Sequence, residues 1–329
     1  MTGTSDPVRL VVLGALEPGL SQAVYHALAE RMTSARTDTI ILCHPARPYV
    51  CLGYHDVLDD VLDADACRSL GLPILRRRVG GGTTYLDANQ LFYQLVFYHE
   101  RVPVVPDALY AYLLGGPLAQ LRALGLDATL RATNELEVSG QRIAGVGGGR
   151  MGEAAVVVGN YLFDFDFDTL PRIWRAPTRG FAQLARAALR ERLTTLRAHH
   201  VTATMEHVVA AMVQHFETAL HRPVVPGALD ADERALACTI AERLASPAFL
   251  ALHADTARAT SRQLKIAAGV FVRFERVPHA RGALEASLRL RDDVIDQAHI
   301  ECPPGTPWPE ASQAAIGRTV QAWRADLPT

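Results

Sequence analysis

The stretch Arg76-Arg77-Arg78-Val79-Gly80-Gly81-Gly82-Thr83-Thr84-Tyr85-Leu86-Asp87 constrains the fold of this chain more than any other. A strand over residues 73–78 runs into Gly80-Gly81-Gly82, and the polar Thr83 and Thr84 lead into the next strand. Without side chains, the glycines let backbone N–H groups approach an anion closely. The arginines before them can pair with phosphate or carboxylate through two parallel bonds. The P-loop spacing GxxxxGK[ST] is absent, and no GxGxxG opens a helix here. Taken alone, the pattern fits a tight hairpin beside solvated arginines as well as it fits an anion cradle.

The flanking periodicity predicts a mixed α+β chain. Strands are expected over residues 8–14, 39–43, 49–52, 90–98, 128–131, 135–138, 142–146 and 154–165. Helices are expected over 20–32, 63–70 and 106–124. From about Asp168 helices dominate, including 205–220 and 232–245. Strands then return over 264–274, 283–290 and 294–300, before a last helix over 309–324. This pattern divides the chain into a large unit, residues 1–250, and a small α+β unit, residues 251–329.

With 329 residues and 49% hydrophobic residues, the chain can bury a sizeable core. A net charge of −2 gives no basic excess that would argue for nucleic acid. No apolar run reaches membrane-spanning length, and residues 1–9 carry no signal-like segment, so a cytoplasmic location is expected. The five cysteines form no CxxC pair and read as reduced thiols. Cys43 and Cys51 lie on apolar strands, as buried thiols do. The alternating Asp164-Phe165-Asp166-Phe167-Asp168 reads as a strand edge with one solvated face. The dense arginines between Arg172 and Arg197 read chiefly as a solvated helix face.

A second glycine-rich strand lies downstream, Asn134-Glu135-Leu136-Glu137-Val138-Ser139-Gly140-Gln141-Arg142-Ile143-Ala144-Gly145-Val146-Gly147-Gly148-Gly149. It places a cation, Arg142, between a turn and a run of small residues. A cation there can stabilise charge developing on an acyl-phosphate. The two segments together resemble the lipoate–protein ligase family, within the biotin and lipoate ligase fold. That family carries RRxSGGGxVxHD, then Asn-Asp and a GxKI(S/A)G strand, against RRRVGGGTTYLD and NELEVSGQRIAG here. The turn Leu52-Gly53-Tyr54-His55-Asp56 and the strand beginning at Val156 are similar to the family's upstream turn and return strand. The resemblance covers roughly residues 10–184, and residues 264–300 resemble a small accessory domain. The segment 145–168 looks more like ligases serving lipoate-binding proteins of sulfur pathways than like the common scavenging ligases.

The resemblance implies a mixed-sheet catalytic domain followed by the accessory domain, and an ATP-dependent lipoate or octanoate protein ligase using Mg²⁺. Such an enzyme forms an acyl-adenylate and passes the acyl group to a carrier lysine. The carrier is a lipoyl domain, a glycine-cleavage carrier or a lipoate-binding protein. By the same resemblance Arg77 touches phosphate and Gly80, Gly81 and Gly82 line the adenylate site. Thr83, Thr84 and Tyr85 border the acyl and adenosine pockets. Asn134 helps hold nucleotide and Mg²⁺, and Ala144 and Gly145 leave room for the lipoyl chain. Arg142 stands where the family has its essential lysine, keeping the charge on a wider fork. Leu86-Asp87 replaces His-Asp, and Asn134-Glu135 replaces Asn-Asp. Two alternatives stay open. One is an octanoyl or lipoyl transferase of the same fold; the family's thioester route needs a cysteine, but Ala132-Thr133 and Ala176-Pro177 stand where relatives carry it, so such a transferase would be cysteine-independent. The other is a non-catalytic lipoate or nucleotide binder.

Overall fold

The computed structural model describes residues 6–131, 133–254, 261–279, 282–303 and 311–327. In chain order the strands are β1 (Val8–Leu16), β2 (Thr39–Pro45), β3 (Tyr49–Leu52), β4 (Ile74–Arg76), β5 (Thr84–Leu86), β6 (Gln90–Tyr98), β7 (Ala128–Arg131) and β8 (Glu135–Val138). They continue with β9 (Gln141–Met151), β10 (Ala154–Leu162), β11 (Val224–Pro226), β12 (Ser261–Ala267), β13 (Val270–His279), β14 (Gly282–Arg291) and β15 (Val294–Glu301). Eight strands make one mixed sheet in the order β11-β1-β2-β6-β10-β9-β8-β7. Strand β1 runs parallel to β2 and β11, and the pairs from β2 to β7 are antiparallel. The expected α+β class and mixed sheet are thus present.

Strand β6 shows why the sheet has two packed faces. Every residue from Gln90 to Phe97 is buried, since β6 is central and covered on both sides. One face packs Leu91, Tyr93, Leu95 and Phe97 against Val208, Met212, Phe216 and Leu220 of the helix Met205–Leu220. Those four recur every fourth residue, so they form one stripe, and each buried side chain contributes roughly 1.5–3 kcal/mol. The other face packs Cys43, Phe92 and Val96 against the helices Pro18–Glu30 and Ala231–Ala245. Gln94 is also on this second face, and its Nε2 donates to the Ser21 carbonyl at 2.6 Å. A small sheet, β4-β3-β5, joins the same core through Tyr49, Cys51, Leu75 and Leu86.

Four sequence expectations are corrected. The helix expected over 106–124 is two, Pro106–Leu113 and Gly115–Ala123. Gly115, Gly116 and Pro117 stand at the break; proline cannot donate to the carbonyl four residues earlier. A Cβ on Gly116 would lie 2.6 Å from the Phe216 ring, so the close approach needs glycine. The strand expected over 264–274 is a hairpin, β12 and β13, turning at Gly269 with φ +68°. The last helix is two short ones, Ala311–Ala315 and Val320–Ala325, separated at Gly317 with φ +83°; residues 309 and 310 lie outside the described residues. The acidic run is a turn and not a strand edge, because β10 ends at Leu162. Asp166 there accepts from Asp168 N, Thr169 N and Thr169 Oγ1, the pattern that opens the helix Thr169–Ile173.

The chain forms two compact units. The first holds the residues through Asp56, Cys67–Phe165 and Thr194–Leu252, and the second holds Val57–Ala66, Asp166–Leu193 and the chain from His253. The second unit therefore takes up two earlier segments besides the stretch after 250. It contains the antiparallel sheet β12-β13-β14-β15 and the helix Arg179–Arg192, which buries Phe181, Leu184, Ala185, Ala188 and Leu189. Its N-cap, Thr178, accepts from Phe181 N at 3.1 Å.

Candidate active site at the glycine loop

The loop from Arg77 to Thr83 connects β4 to β5, and glycine is required where it touches its neighbours. A Cβ on Gly53, in the turn after β3, would lie 1.9 Å from the Gly81 carbonyl oxygen. A Cβ on Gly147 of β9 would lie 2.8 Å from the Gly80 carbonyl oxygen. Backbone thus packs on backbone from both sides. Gly81 itself has φ +102°, a conformation that residues with a Cβ rarely adopt.

Three side chains hold this arrangement. Arg76 has no exposed surface. Its Nη1 donates to the carbonyls of Gly53, Tyr54 and Asp56 at 3.0, 2.9 and 2.6 Å. Its Nε and Nη2 donate to Phe249, Leu250 and Leu252 at 2.8, 2.7 and 3.2 Å. Asp56 Oδ2 accepts from Gly53 N at 3.1 Å and from Thr83 Oγ1 at 2.7 Å, which joins the turn to the far end of the loop. His26 is fully buried, with Nδ1 at 2.6 Å from the Gln22 carbonyl and Nε2 accepting from Arg78 N at 3.0 Å. Those partners select the neutral ring with its proton on Nδ1. Burial pushes its pKa down to about 3.

Arg77 is buried beneath the loop. Its Nη1 donates to the Cys51 carbonyl at 3.2 Å, and Nη2 donates to the Gly80 and Gly82 carbonyls at 3.1 and 2.8 Å. Thr84 pairs with Cys51 across β5 and β3. Tyr85 is 5% exposed and meets Phe165 edge-on, with its carbonyl accepting from Gln90 Nε2 at 3.2 Å.

The second segment forms β8 and β9 of the large sheet, and β9 meets the loop at Gly147. The hairpin between β8 and β9 turns at Ser139 and Gly140, both with positive φ, as a two-residue turn requires. Glu135 pairs with Gly145, so both point to one face. Arg142 Nη1 lies 3.4 Å from Glu135 Oε1, and the Arg142 carbonyl accepts from Thr194 N at 3.0 Å. Asn134 Nδ2 donates to the Val146 carbonyl at 3.1 Å. Gly145 and Gly147 share their face with Asn160, whose Nδ2 donates to Gln90 Oε1 at 2.6 Å. Ala144 points to the opposite face, in the core with Leu136 and Tyr161.

The structure therefore gathers Arg77, Gly80, Gly81, Gly82 and Thr83 into one loop against Gly147. It puts Arg142, Asn134 and Gly145 a few residues along the same strands. Tyr85 and Ala144 are packed into the interior. Sequence reasoning missed Arg76, Asp56 and His26 as supports. Asp56 was within reach, since it closes the Gly53 turn, but nothing in the local sequence points from His26 to a loop some fifty residues later.

Cys43 and Cys51 are buried, as expected. Burial pushes the Cys43 thiol up to about 12 and raises that of Cys51, where the Arg77 guanidinium opposes the shift. Among the described residues no group of three or more His, Cys, Asp or Glu could hold a metal ion. Among them, too, no helix is long and apolar enough to cross a membrane.

Residues 17–217 match the family model described as lipoyl protein ligase A/B catalytic domain. Lipoate-protein ligase A subunit 1 of Thermoplasma acidophilum is 24% identical over 182 residues, 52% of this chain and 68% of that protein. The octanoyltransferase LipM of Geobacillus kaustophilus is 25% identical over 254 residues, 69% of this chain and 91% of that protein. The fold is shared with the bipartite lipoate protein ligase of T. acidophilum, described together with its E2 lipoyl domain; the TM-score is 0.68 at 21% identity, covering 75% of this chain and 97% of that one. It is shared with a lipoate-protein ligase A bound with ATP, at a TM-score of 0.65 and 20% identity, covering 75% of this chain and 100% of that one. P. falciparum LipL1 in complex with lipoate has a TM-score of 0.60 at 11% identity, covering 98% of this chain and 95% of that one. With more than half of its length matched, the chain belongs to the lipoyl protein ligase A/B catalytic-domain family.

Proposed function

We propose that this chain is an ATP-dependent lipoate or octanoate protein ligase that forms an acyl-adenylate and transfers the acyl group to a carrier lysine. The observation that carries the reading is the state of the thiols around the glycine loop. A thioester route needs an accessible thiolate. Cys43 and Cys51 are 1% and 0% exposed, and both thiols are shifted away from ionisation. Cys67 is buried too, Cys238 is exposed on the helix Ala231–Ala245, and Cys302 is half-buried after β15. Adenylate chemistry needs no enzyme nucleophile. It needs donors for phosphate oxygens and a cation beside them, which the loop and Arg142 supply.

In the first step the acyl carboxylate attacks the α-phosphorus of ATP, and pyrophosphate leaves. Arg142, held near Glu135, offsets negative charge at the reacting phosphate. Asn134 Oδ1 and the Glu135 carboxylate are hard oxygen donors of the kind Mg²⁺ takes alongside substrate phosphates, where the ion supplies further charge neutralisation. In the second step the carrier ε-amine attacks the acyl carbonyl, loses a proton and expels AMP. The carrier is a lipoyl-accepting protein, a lipoyl domain among the candidates, by extension from the archaeal ligase described with its E2 lipoyl domain.

The relatives named octanoyltransferase favour a second reading, direct acyl transfer without ATP. One assay separates them: lipoate-dependent pyrophosphate release from ATP and Mg²⁺, set beside octanoyl transfer from an octanoylated carrier without ATP. Pyrophosphate release that survives Cys43→Ser and Cys51→Ser supports the ligase. ATP-free transfer establishes the transferase, cysteine-independent if it survives both serine variants and thiol-dependent if either abolishes it. Silence in both assays, with gain of turnover in Arg142→Lys, points to a non-catalytic binder.

A further inference from the structure

Thr133 stands in the loop between β7 and β8 with φ +74°. That is the left-handed region, which a β-branched residue rarely enters. Such a conformation persists where the surroundings hold it, often at a functional site. Here the holding group comes from 26 residues earlier: Asp107 Oδ1, near the start of the helix Pro106–Leu113, accepts from Thr133 Oγ1 at 2.7 Å. The same helix is seated on β9. Tyr110 lies one turn on from Asp107, and a Cβ on Gly148 would lie 2.7 Å from its hydroxyl oxygen. The two residues after Thr133 are those the ligase reading assigns to Mg²⁺ and to Arg142. Asn134 Nδ2 donates to the Val146 carbonyl at 3.1 Å, and its Oδ1 has no hydrogen-bond partner among the described residues. Glu135 begins β8, pairs with Gly145 and lies 3.4 Å from Arg142 Nη1.

We propose that Asp107 is a positioning residue, which holds Thr133 left-handed and so delivers Asn134 and Glu135 into β8 in the arrangement the site uses. The inference deepens the ligase reading and rests on it for what those two residues bind. The φ of Thr133 sets the direction in which the chain leaves the turn. Without Asp107, Thr133 loses the bond that offsets its positive φ. A return to negative φ then swings the Asn134 amide away from the Val146 carbonyl. Asp107 acts from a helix already packed on β9, so the bond ties the turn to the strand that carries both Val146 and Arg142.

The test follows the Asn134 side-chain amide resonance in the ¹⁵N-labelled protein, alongside lipoate-dependent pyrophosphate release by the same preparation. Asp107→Ala is expected to move that resonance and to lower kcat/KM for the release about 10-fold, the scale of one left-handed residue with a Cβ. Asp107→Asn keeps an acceptor oxygen and is expected to retain most of the activity. Adding Thr133→Gly to Asp107→Ala should return the resonance and recover the activity, because glycine holds a positive φ without a brace. Thr133→Val keeps the β-branch and loses the hydroxyl; it should behave as Asp107→Ala does, and it replaces that variant if Asp107→Ala does not fold. A stationary Asn134 resonance in Asp107→Ala, in an active protein, overturns the inference and leaves the ligase reading standing. A loss that Thr133→Gly does not recover overturns it as well. A resonance that moves and returns as expected, in a protein that releases no pyrophosphate, upholds the positioning role and refutes the ligase reading. A stationary resonance in an inactive protein refutes both.

Discussion

Lowering the pH should loosen the glycine loop through His26, by an amount the structure lets one work out. The ring is fully buried between the Gln22 carbonyl and Arg78 N, so a proton on Nε2 would face the Arg78 N–H and not an acceptor. Burial holds its folded pKa at about 3, against 6.5 when it is free. Between those values the unfolded chain binds the proton and the folded chain does not, so stability rises with pH. The contribution is complete above about pH 6.5 and declines as pH falls toward 3. Each unit is worth about 1.4 kcal/mol, so moving from pH 8 to pH 5 costs about 2 kcal/mol from this residue. His26→Phe keeps the volume and cannot be protonated, but it removes the acceptor for Arg78 N, at about 1–3 kcal/mol at every pH. Urea unfolding of both proteins at pH 8 and pH 5 checks the reasoning. The wild type should be more stable at pH 8, and its advantage should shrink by about 2 kcal/mol at pH 5. An advantage that stays constant between the two pH values would show that His26 is not the titrating group, and would refute the argument.

Three further outcomes are expected. Arg76→Met strips the donor from six carbonyls and should destabilise the protein by at least about 3 kcal/mol in urea unfolding; a change below about 1 kcal/mol would mean that water replaces the guanidinium. Gly53→Ala drives a methyl into the Gly81 carbonyl and should cut lipoate-dependent pyrophosphate release at least about tenfold, with circular dichroism unchanged. Arg142→Ala should lower kcat for that release by about 100-fold or more, as loss of a donor to a developing charge does elsewhere; Arg142→Lys should keep most of it. Equal loss in both Arg142 variants would point to the Glu135 pair, and not to the charge, as what matters.

Much of the site could be read before folding was considered. The apolar periodicity placed strands on either side of the first glycine triplet, and NELEVSGQRIAG placed a cation beside a second glycine-rich strand. These features are local, because chain stiffness, φ freedom and side-chain alternation act over a few residues. The tertiary structure decided the rest. Arg76 and Arg77 are adjacent and chemically identical in sequence, yet one braces the 53–56 turn and the 249–252 segment while the other holds the loop's own carbonyls. Their division of labour depends on which carbonyls the fold brings near, and those lie up to some 170 residues away. Ala144 and Gly145 were equally small candidates to leave room for an acyl chain. Strand alternation and the packing of Tyr161 put Ala144 in the core and Gly145 beside Asn160. The sequence by itself determined the elements and the chemistry available to them; only the packed structure determined which of those groups were spent on holding the loop, because burial and hydrogen-bond partners are properties of contacts between distant segments.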